Sequence, residues 1–286
     1  LAGNTNPIKL LNPIASQLSV MRSSLLGSLM QVLKFNVDRK APRVRVFELG
    51  RVFLRDDSVV ESDTTVKGFD QPMRVAGLAY GAAAQQQWGI QDAKVDFYDV
   101  KGDVEALLAP LKPVFEAAEH PAMHPGRCAR VVLNGQAIGF VGELHPKWRQ
   151  EWDLAQAPVM FELELNAVLA REVPVFQAVS KHQAVERDIA VVVKESVTHA
   201  QVMAAVAAGV QGGILRNAVL FDVFSPKKLK AGEEAAPGSL AQDEKSLAVR
   251  LTLGRDDAAL SDVEIDTAMQ GAIAALQSQL QARLRG

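Results

Sequence analysis

The sequence predicts an α+β fold in two successive parts, and three observations carry that reading. The 286 residues are long for one core and comfortable for two. Strand and helix patterns are mixed over residues 1–173, and Pro174 within REVPVFQAVS marks a linker. From residue 174 to 286 the order simplifies to β-α-β-β-α-β, an antiparallel sheet with both helices on one face.

In the first part, SQLSVMRSSLLGSLMQVLKF predicts a helix over 16–34. Leu18, Arg22, Leu25, Leu29 and Leu33 stand at helical spacing, with Leu26 and Met30 beside them. Ser24, Gly27 and Ser28 form a small-residue strip, and an apolar sector so wide predicts packing on more than one side. VRVFELGRVF (44–53) and MRVAGLAY (73–80) read as strands, and KGDVEALLAPL (101–111) as a short helix. ARVVLNGQAIGFVGEL carries the strongest hairpin signal, two β-rich runs joined by Asn134-Gly135. In VMFELELN (159–166), Phe161, Leu163 and Leu165 alternate with Glu162 and Glu164, which predicts a solvated acidic face.

In the second part, RDIAVVV (187–193), NAVLFDVF (217–224) and KSLAVRLTL (245–253) read as strands. Thr198 caps a helix in THAQVMAAVAAG (198–209), with Gly209 expected just past its end. Ser261 and Glu264 form a capping box for a second helix, whose buried stripe is Ile265, Met269, Ile273, Leu276 and Leu280. The terminal QARLRG closes the sheet with a short strand. This is the ferredoxin-like arrangement.

Composition narrows the function classes. Apolar residues make up 48% and charged residues 22%, the balance of an ordinary soluble globular protein. No apolar run reaches the ~18 residues of a membrane span, so no membrane partner is expected. The opening LAGNTNPIKLLNP has no basic stretch ahead of an apolar run, and no signal peptide is expected. One cysteine forbids an internal disulfide and fits a reducing compartment. The formal charge of −2 gives no global attraction to DNA or RNA, so any nucleic-acid contact must be local.

His124, Cys128, Glu143 and His145 flank the Asn-Gly hairpin and raise the question of a metal or thiol site. Both histidines precede proline, as turn residues do, and no C-x-x-C or H-x-x-x-H pair accompanies them. The reading is a hairpin with no metal. Asp99 and Asp103 flank a helix start, where carboxylates favour the dipole over acid–base work. Trp148 and Trp152 read as one helix face packing on the hairpin. Phosphate-loop, dinucleotide and nucleophile-elbow motifs are absent, so no catalytic residue is assigned.

The second part offers a surface. Alternation in KSLAVRLTL sends Leu247, Val249, Leu251 and Leu253 to the core and Ser246, Ala248, Arg250 and Thr252 outward. In VLFDVF it sends Val219, Phe221 and Val223 to the helices and Leu220, Asp222 and Phe224 to the open face. An aromatic, a carboxylate, an arginine and hydroxyls on one open face suit unpaired bases. Lys227, Lys228 and Lys230 in the adjoining loop are placed to meet phosphates. The competing reading has Phe224 capping the sheet edge and the lysines in a solvated loop, and the pattern leaves both open. With 12 Lys and Arg against 13 Asp and Glu from residue 174 onward, the net charge there is −1, that of a small-footprint reader.

The motifs NPIASQLSVMRSSLL, RVFELGRVF, YDVKGDVEALL, HPGRCARVVLNGQAIGFVGELHP, SKHQAVERDIAVVV, LFDVF and EKSLAVRLTL occur in this order along the chain. With them the chain resembles, over essentially its whole length, the C-terminal part of the bacterial phenylalanine–tRNA ligase β subunit. Phe224 stands where that family often has Tyr, which keeps a stacking ring and loses a hydroxyl, and Gln183 or Ala184 stands where it often has Pro. The resemblance implies a class II synthetase-like antiparallel sheet with helices over 1–173, non-catalytic and serving α2β2 assembly with the alpha subunit. It implies a ferredoxin-fold anticodon-binding domain over 174–286 that touches tRNA(Phe), with Asp222, Phe224 and Ser246 on the RNA-facing sheet. Arg187-Asp188 matches the family's RD pair, which a salt-bridged strand start explains equally well. ATP and magnesium belong to the full cytoplasmic enzyme, and no cofactor is assigned to this segment. Class II catalysis needs an arginine in an F-R-x-E-like strand–loop and a glycine-rich strand ending in arginine. Here RVFELGRVF is followed by RDDSVVESD, and GFVGELHPKWRQEW lacks such a strand end, so no ATP site is assigned. The family's tRNA-binding OB-fold and editing domain do not fit in these residues, so the segment is expected neither to edit nor to aminoacylate. Two alternatives remain: a free-standing RNA-binding adaptor, and an unrelated hydrolase built on the His124–His145 hairpin.

Overall fold

The computed structural model describes residues 2–170, 173, 175–176, 180–226 and 240–285. The chain divides into two compact units, Leu1–Val173 and Pro174–Gly286.

In the first unit the elements run α1 (Leu26–Asp38), β1 (Arg43–Arg51), β2 (Leu54–Arg55), β3 (Phe69–Asp70), β4 (Met73–Gly81) and α2 (Phe97–Leu108). They continue with β5 (Val114–Ala117), β6 (Met123–Leu133), β7 (Gln136–Leu144), α3 (Pro146–Glu151), β8 (Val159–Glu164) and α4 (Leu165–Leu169). Six strands form an antiparallel sheet in the order β1-β4-β8-β7-β6-β5, while β2 and β3 pair separately. Alternate side chains of β4 and β8 enter two cores. Ala76, Leu78, Tyr80 and Met160 pack with Leu26, Leu29, Met30 and Leu33 of α1. Val75, Ala79, Phe161 and Leu163 pack with Val100, Val104 and Leu108 of α2. Helices cover both faces, so β8 is buried almost end to end.

That layering corrects the reading of Glu162. The alternation with Phe161 and Leu163 stands, but the acidic side lies under α1, and Glu162 is only 6% exposed. Its Oε1 accepts from the Leu25 backbone N–H at 2.6 Å and the Ser24 hydroxyl at 3.2 Å, and its Oε2 accepts from Arg74 Nη1 at 3.2 Å. The carboxylate therefore meets donors that a helix start leaves unpaired, together with a cation, which is what a buried charge requires.

The predicted helix over 16–34 is also corrected. Ser16–Leu18 make only a 3-10 turn, and the α-helix starts at Leu26. Arg22 lies ahead of the helix. Its Nε donates to the Arg51 carbonyl at 2.9 Å, its Nη1 binds Glu48, and its own carbonyl accepts from Phe53 N–H. Ser24 Oγ accepts from the Leu26 N–H, an alternative to helix that serine offers readily. Long-range contacts to β1 thus override local helical spacing. Within α1, Leu26, Leu29, Met30 and Leu33 are buried while Val32 and Phe35 are exposed.

The hairpin turns at Asn134 and Gly135, with φ of 50° and 79°, directly between the paired Leu133 and Gln136. Two consecutive positive φ values match the right-handed twist of the strands and favour Asn-Gly.

The second unit comprises β9 (Val185–Lys194), α5 (His199–Gly209), β10 (Leu215–Phe224), β11 (Glu244–Leu253), α6 (Asp262–Leu280) and β12 (Arg283–Leu284). The sheet order is β10-β11-β9-β12, antiparallel throughout, with both helices over one face. Thr198 with Gln201 and Ser261 with Glu264 form the two capping boxes. The buried stripe of α6 is Ile265, Ala268, Ala272 and Leu276, whereas Met269, Ile273 and Leu280 flank it half-buried. Close helix approach explains the shift toward small residues. A Cβ on Gly209 would lie 2.4 Å from the Gly271 carbonyl oxygen, and one on Gly271 would lie 2.3 Å from that of Gly209. Among the described residues no helix is long and apolar enough to cross a membrane.

Glu162→Ala removes the acceptor shared by Ser24, Leu25 and Arg74 and leaves a partly buried guanidinium without its counter-charge. It is expected to lower stability by about 3–5 kcal/mol in denaturant unfolding. A loss below about 0.5 kcal/mol, as for an ordinary surface carboxylate, would contradict the burial assigned to it.

Candidate nucleic-acid interface

The polar groups of the first unit have structural work. His124 Nδ1 accepts from Gly126 N–H and His145 Nδ1 from Lys147 N–H, each at 3.0 Å. Arg127 donates to both oxygens of Glu143. Cys128 is buried, its sulfur 3.5 Å from that of Met123, and burial pushes its thiol up to about 11, far from the thiolate a nucleophile needs. Asp99 completes a capping box with Asp96 at the start of α2, and Asp103 pairs with Arg45 at 2.7 Å. Trp148 donates through Nε1 to the Pro121 carbonyl and packs with Trp152 on the α1 side of the sheet. Among the described residues no group of three His, Cys, Asp or Glu side chains is placed to hold a metal ion.

The open face of the second unit is built from strand parity. On β11, Leu247, Val249, Leu251 and Leu253 lie under the helices, which puts Ser246, Ala248, Arg250 and Thr252 on the other side. Cross-strand partners share a face. Val219 faces Arg250 and Leu220 faces Val249, but the next pair is Asp222 with Ala248, followed by Val223 with Leu247 and Phe224 with Ser246. Phe221 is the extra residue of a β-bulge.

The bulge corrects half of the strand reading. Leu220, expected on the open face, packs against the core. Val219 and Phe221, expected under the helices, stand on the open face, 45% and 51% exposed. One extra residue resets the alternation, so Asp222 and Phe224 return to the open side on which they were expected. Val223 shares Leu247's side but is exposed at the end of the edge strand.

Ser246 faces the same way yet is only 4% exposed. Arg285 accounts for this. Its backbone N–H donates to the Ala190 carbonyl, its Nη1 donates to Ser246 Oγ at 3.2 Å, and its guanidinium carbon lies 5.6 Å from the Phe224 ring centroid. The hydroxyl is therefore engaged and not openly offered. Sequence reading missed Arg285. The available signal was the closing strand itself, since Arg283 pairs with Val192 beside Ser246 and Arg285 follows two residues on.

Arg250 is also engaged. Its Nε and Nη2 donate to the two oxygens of Asp188 at 2.8 and 2.9 Å, and Glu186 lies 3.5 Å away. The hydrogen bonds from Arg250 hold the Asp188 carboxyl below its usual range, and those to Asp188 raise the guanidinium's affinity for its proton further. Arg187, next to Asp188 in sequence, instead donates to the Glu186 carbonyl. Lys227 and Lys228, with Lys230, lie outside the described residues.

Residues 1–165 match the family described as the phenylalanyl tRNA synthetase beta chain CLM domain. The chain belongs to that family. Residues 180–285 match the ferredoxin-fold anticodon binding domain, a span that contains the whole open face. The beta chain relatives include the phenylalanine–tRNA ligase beta subunits of Cupriavidus pinatubonensis, 50% identical over 100% of this chain, and Ralstonia nicotianae, 50% identical over 99%. That of Dechloromonas aromatica is 44% identical over 97%. The chain spans 35% of the length of the first two and 33% of the third.

The Asp188–Arg250 pair makes a pH prediction. A carboxyl with a depressed folded midpoint contributes stability that is present above its ordinary value of 3.8 and lost as pH falls through the folded value. An NMR titration is expected to place Asp188 below 3.8, and Arg250→Ala to move it upward. An Asp188 midpoint that does not respond to Arg250→Ala would show that the pair does not form.

Proposed function

We propose that this chain is part of a phenylalanine–tRNA ligase beta subunit, an aminoacyl-tRNA ligase in its assembled cytoplasmic form, which joins phenylalanine to tRNA(Phe) with ATP and magnesium. Residues 1–173 are its non-catalytic class II-like core, and residues 174–286 read the anticodon stem-loop. The observation that carries this reading is the half-exposed Phe224 ring beside exposed Asp222 on the uncovered face of a sheet in the anticodon-binding family.

The chemistry follows from the side chains. Phe224 offers an apolar ring on which a base stacks, and Asp222 accepts from an exocyclic amine. Ser246 acts through Arg285, holding that guanidinium beside Phe224. Arg250 braces the face, being already paired with Asp188. Lys227 and Lys228 complete the proposed set as phosphate contacts.

The assembly role rests on exposed apolar groups. Val32 and Phe35 on α1 and Phe47 and Leu49 on the edge strand β1 are 42%, 57%, 74% and 53% exposed. Apolar side chains on an open sheet edge invite a partner, here the alpha subunit of an α2β2 tetramer. A free-standing RNA adaptor would bind RNA without copurifying with that subunit.

Phe224→Ala is expected to weaken tRNA(Phe) binding by ~1–3 kcal/mol, with the folded state retained by circular dichroism. Unchanged affinity in a folded variant removes the stacking role.

A further inference from the structure

The bulge places a second aromatic ring on the open face, and no element of the fold requires it there. Leu220 fills the adjacent core position, so Phe221 is not the side chain that seals the sheet against the helices. It stands 51% exposed, with the Arg250 guanidinium carbon 5.1 Å from its ring centroid. The two-point clamp from Asp188 fixes the plane of that guanidinium. Val219, 45% exposed and directly opposite Arg250, extends the apolar surface on one side. Phe224 with Arg285 repeats the ring-and-guanidinium arrangement three residues away. Strand rise puts the Cα atoms of Phe221 and Phe224 at most about 10 Å apart, with Asp222 between them on the same side.

Resting on the anticodon reading above, we infer that Phe221, positioned by Arg250 and Asp188, is a second stacking platform that takes a second unpaired base of the same RNA strand. The chemistry selects a nucleobase over an acidic ligand. The carboxylates of Asp188, Glu186 and Asp222 stand on this face, and Arg250 is neutralised by the first two. Arg250 therefore offers a phosphate little beside Phe221, whereas a flat base gains from a ring backed by a planar guanidinium. The strand therefore turns its bases to the sheet and its backbone away. Arg250 is a positioning residue in this arrangement and forms no phosphate contact.

The test uses the full chain and an anticodon stem-loop RNA of tRNA(Phe) carrying 2-aminopurine at one loop position at a time. Phe221→Ala is expected to weaken binding about ten-fold, and by the same factor at low and high salt, because no counterion is released by a stacked base. Phe221→Trp is expected to retain affinity. Phe221→Ala and Phe224→Ala are expected to release the fluorescence quench at two different loop positions. Affinity that falls with Phe224→Ala but not with Phe221→Ala leaves the anticodon reading standing and overturns the second platform. Release at one shared position overturns it as well, and indifference to both substitutions ends both readings. If Phe221→Ala does not fold, Phe221→Leu keeps the apolar bulk, and a folded leucine variant with full affinity also overturns the inference.

Discussion

A single inserted residue in β10 decides what the second unit presents to its surroundings. Strand side chains alternate with a period of two, so one extra residue moves everything beyond it to the opposite face. The insertion falls at Phe221, between the pairs Leu220–Val249 and Asp222–Ala248. Before it, Ala218 and Leu220 serve the core, and after it Asp222 and Phe224 look outward. Without the insertion, a strand in register at Leu220 would turn Asp222 and Phe224 toward the helices and Phe221 and Val223 outward. The sharing of one face by Phe221, Asp222 and Phe224, on which the base-reading proposals rest, depends on this local departure from regular pairing.

The two units treat charge differently. The first spends it on its architecture: Glu162 anchors the start of α1, Glu143 pairs with Arg127, and Asp103 pairs with Arg45. Its reactive-looking histidines and cysteine are turn acceptors and a buried apolar neighbour. The second unit leaves one face uncovered and arranges guanidinium groups over rings instead of leaving them as free cations. A net charge of −1 over residues 174–286 is consistent with such a surface, where stacking and edge contacts outweigh phosphate attraction.

Much of this was legible in the sequence where the signal is local. The Asn134-Gly135 turn, the capping boxes at Thr198 and Ser261, and the alternation of β11 depend on a few adjacent residues and their backbone geometry. The misses arise from partners distant in sequence. Glu162 read as solvated because nothing in VMFELELN tells that α1 lies over it. The helix start slipped from residue 16 to Leu26 because Arg22 is held by Arg51 and Glu48, about 26 to 29 positions away. The bulge has no residue signature in VLFDVF, so Leu220 and Phe221 were assigned to each other's faces. Ser246 was placed on the correct side, but its cover, Arg285, comes from the closing strand 39 positions on.

The parity of β10 is directly measurable by NMR, from nuclear Overhauser contacts of the Phe221 ring in the isotope-labelled chain. The account predicts contacts from that ring to the side chains of Arg250 and Val219, and from Leu220 to Val249 and the helices. Contacts from the Phe221 ring to Val249, Val206 or Ala272, with Leu220 facing solvent, would contradict it.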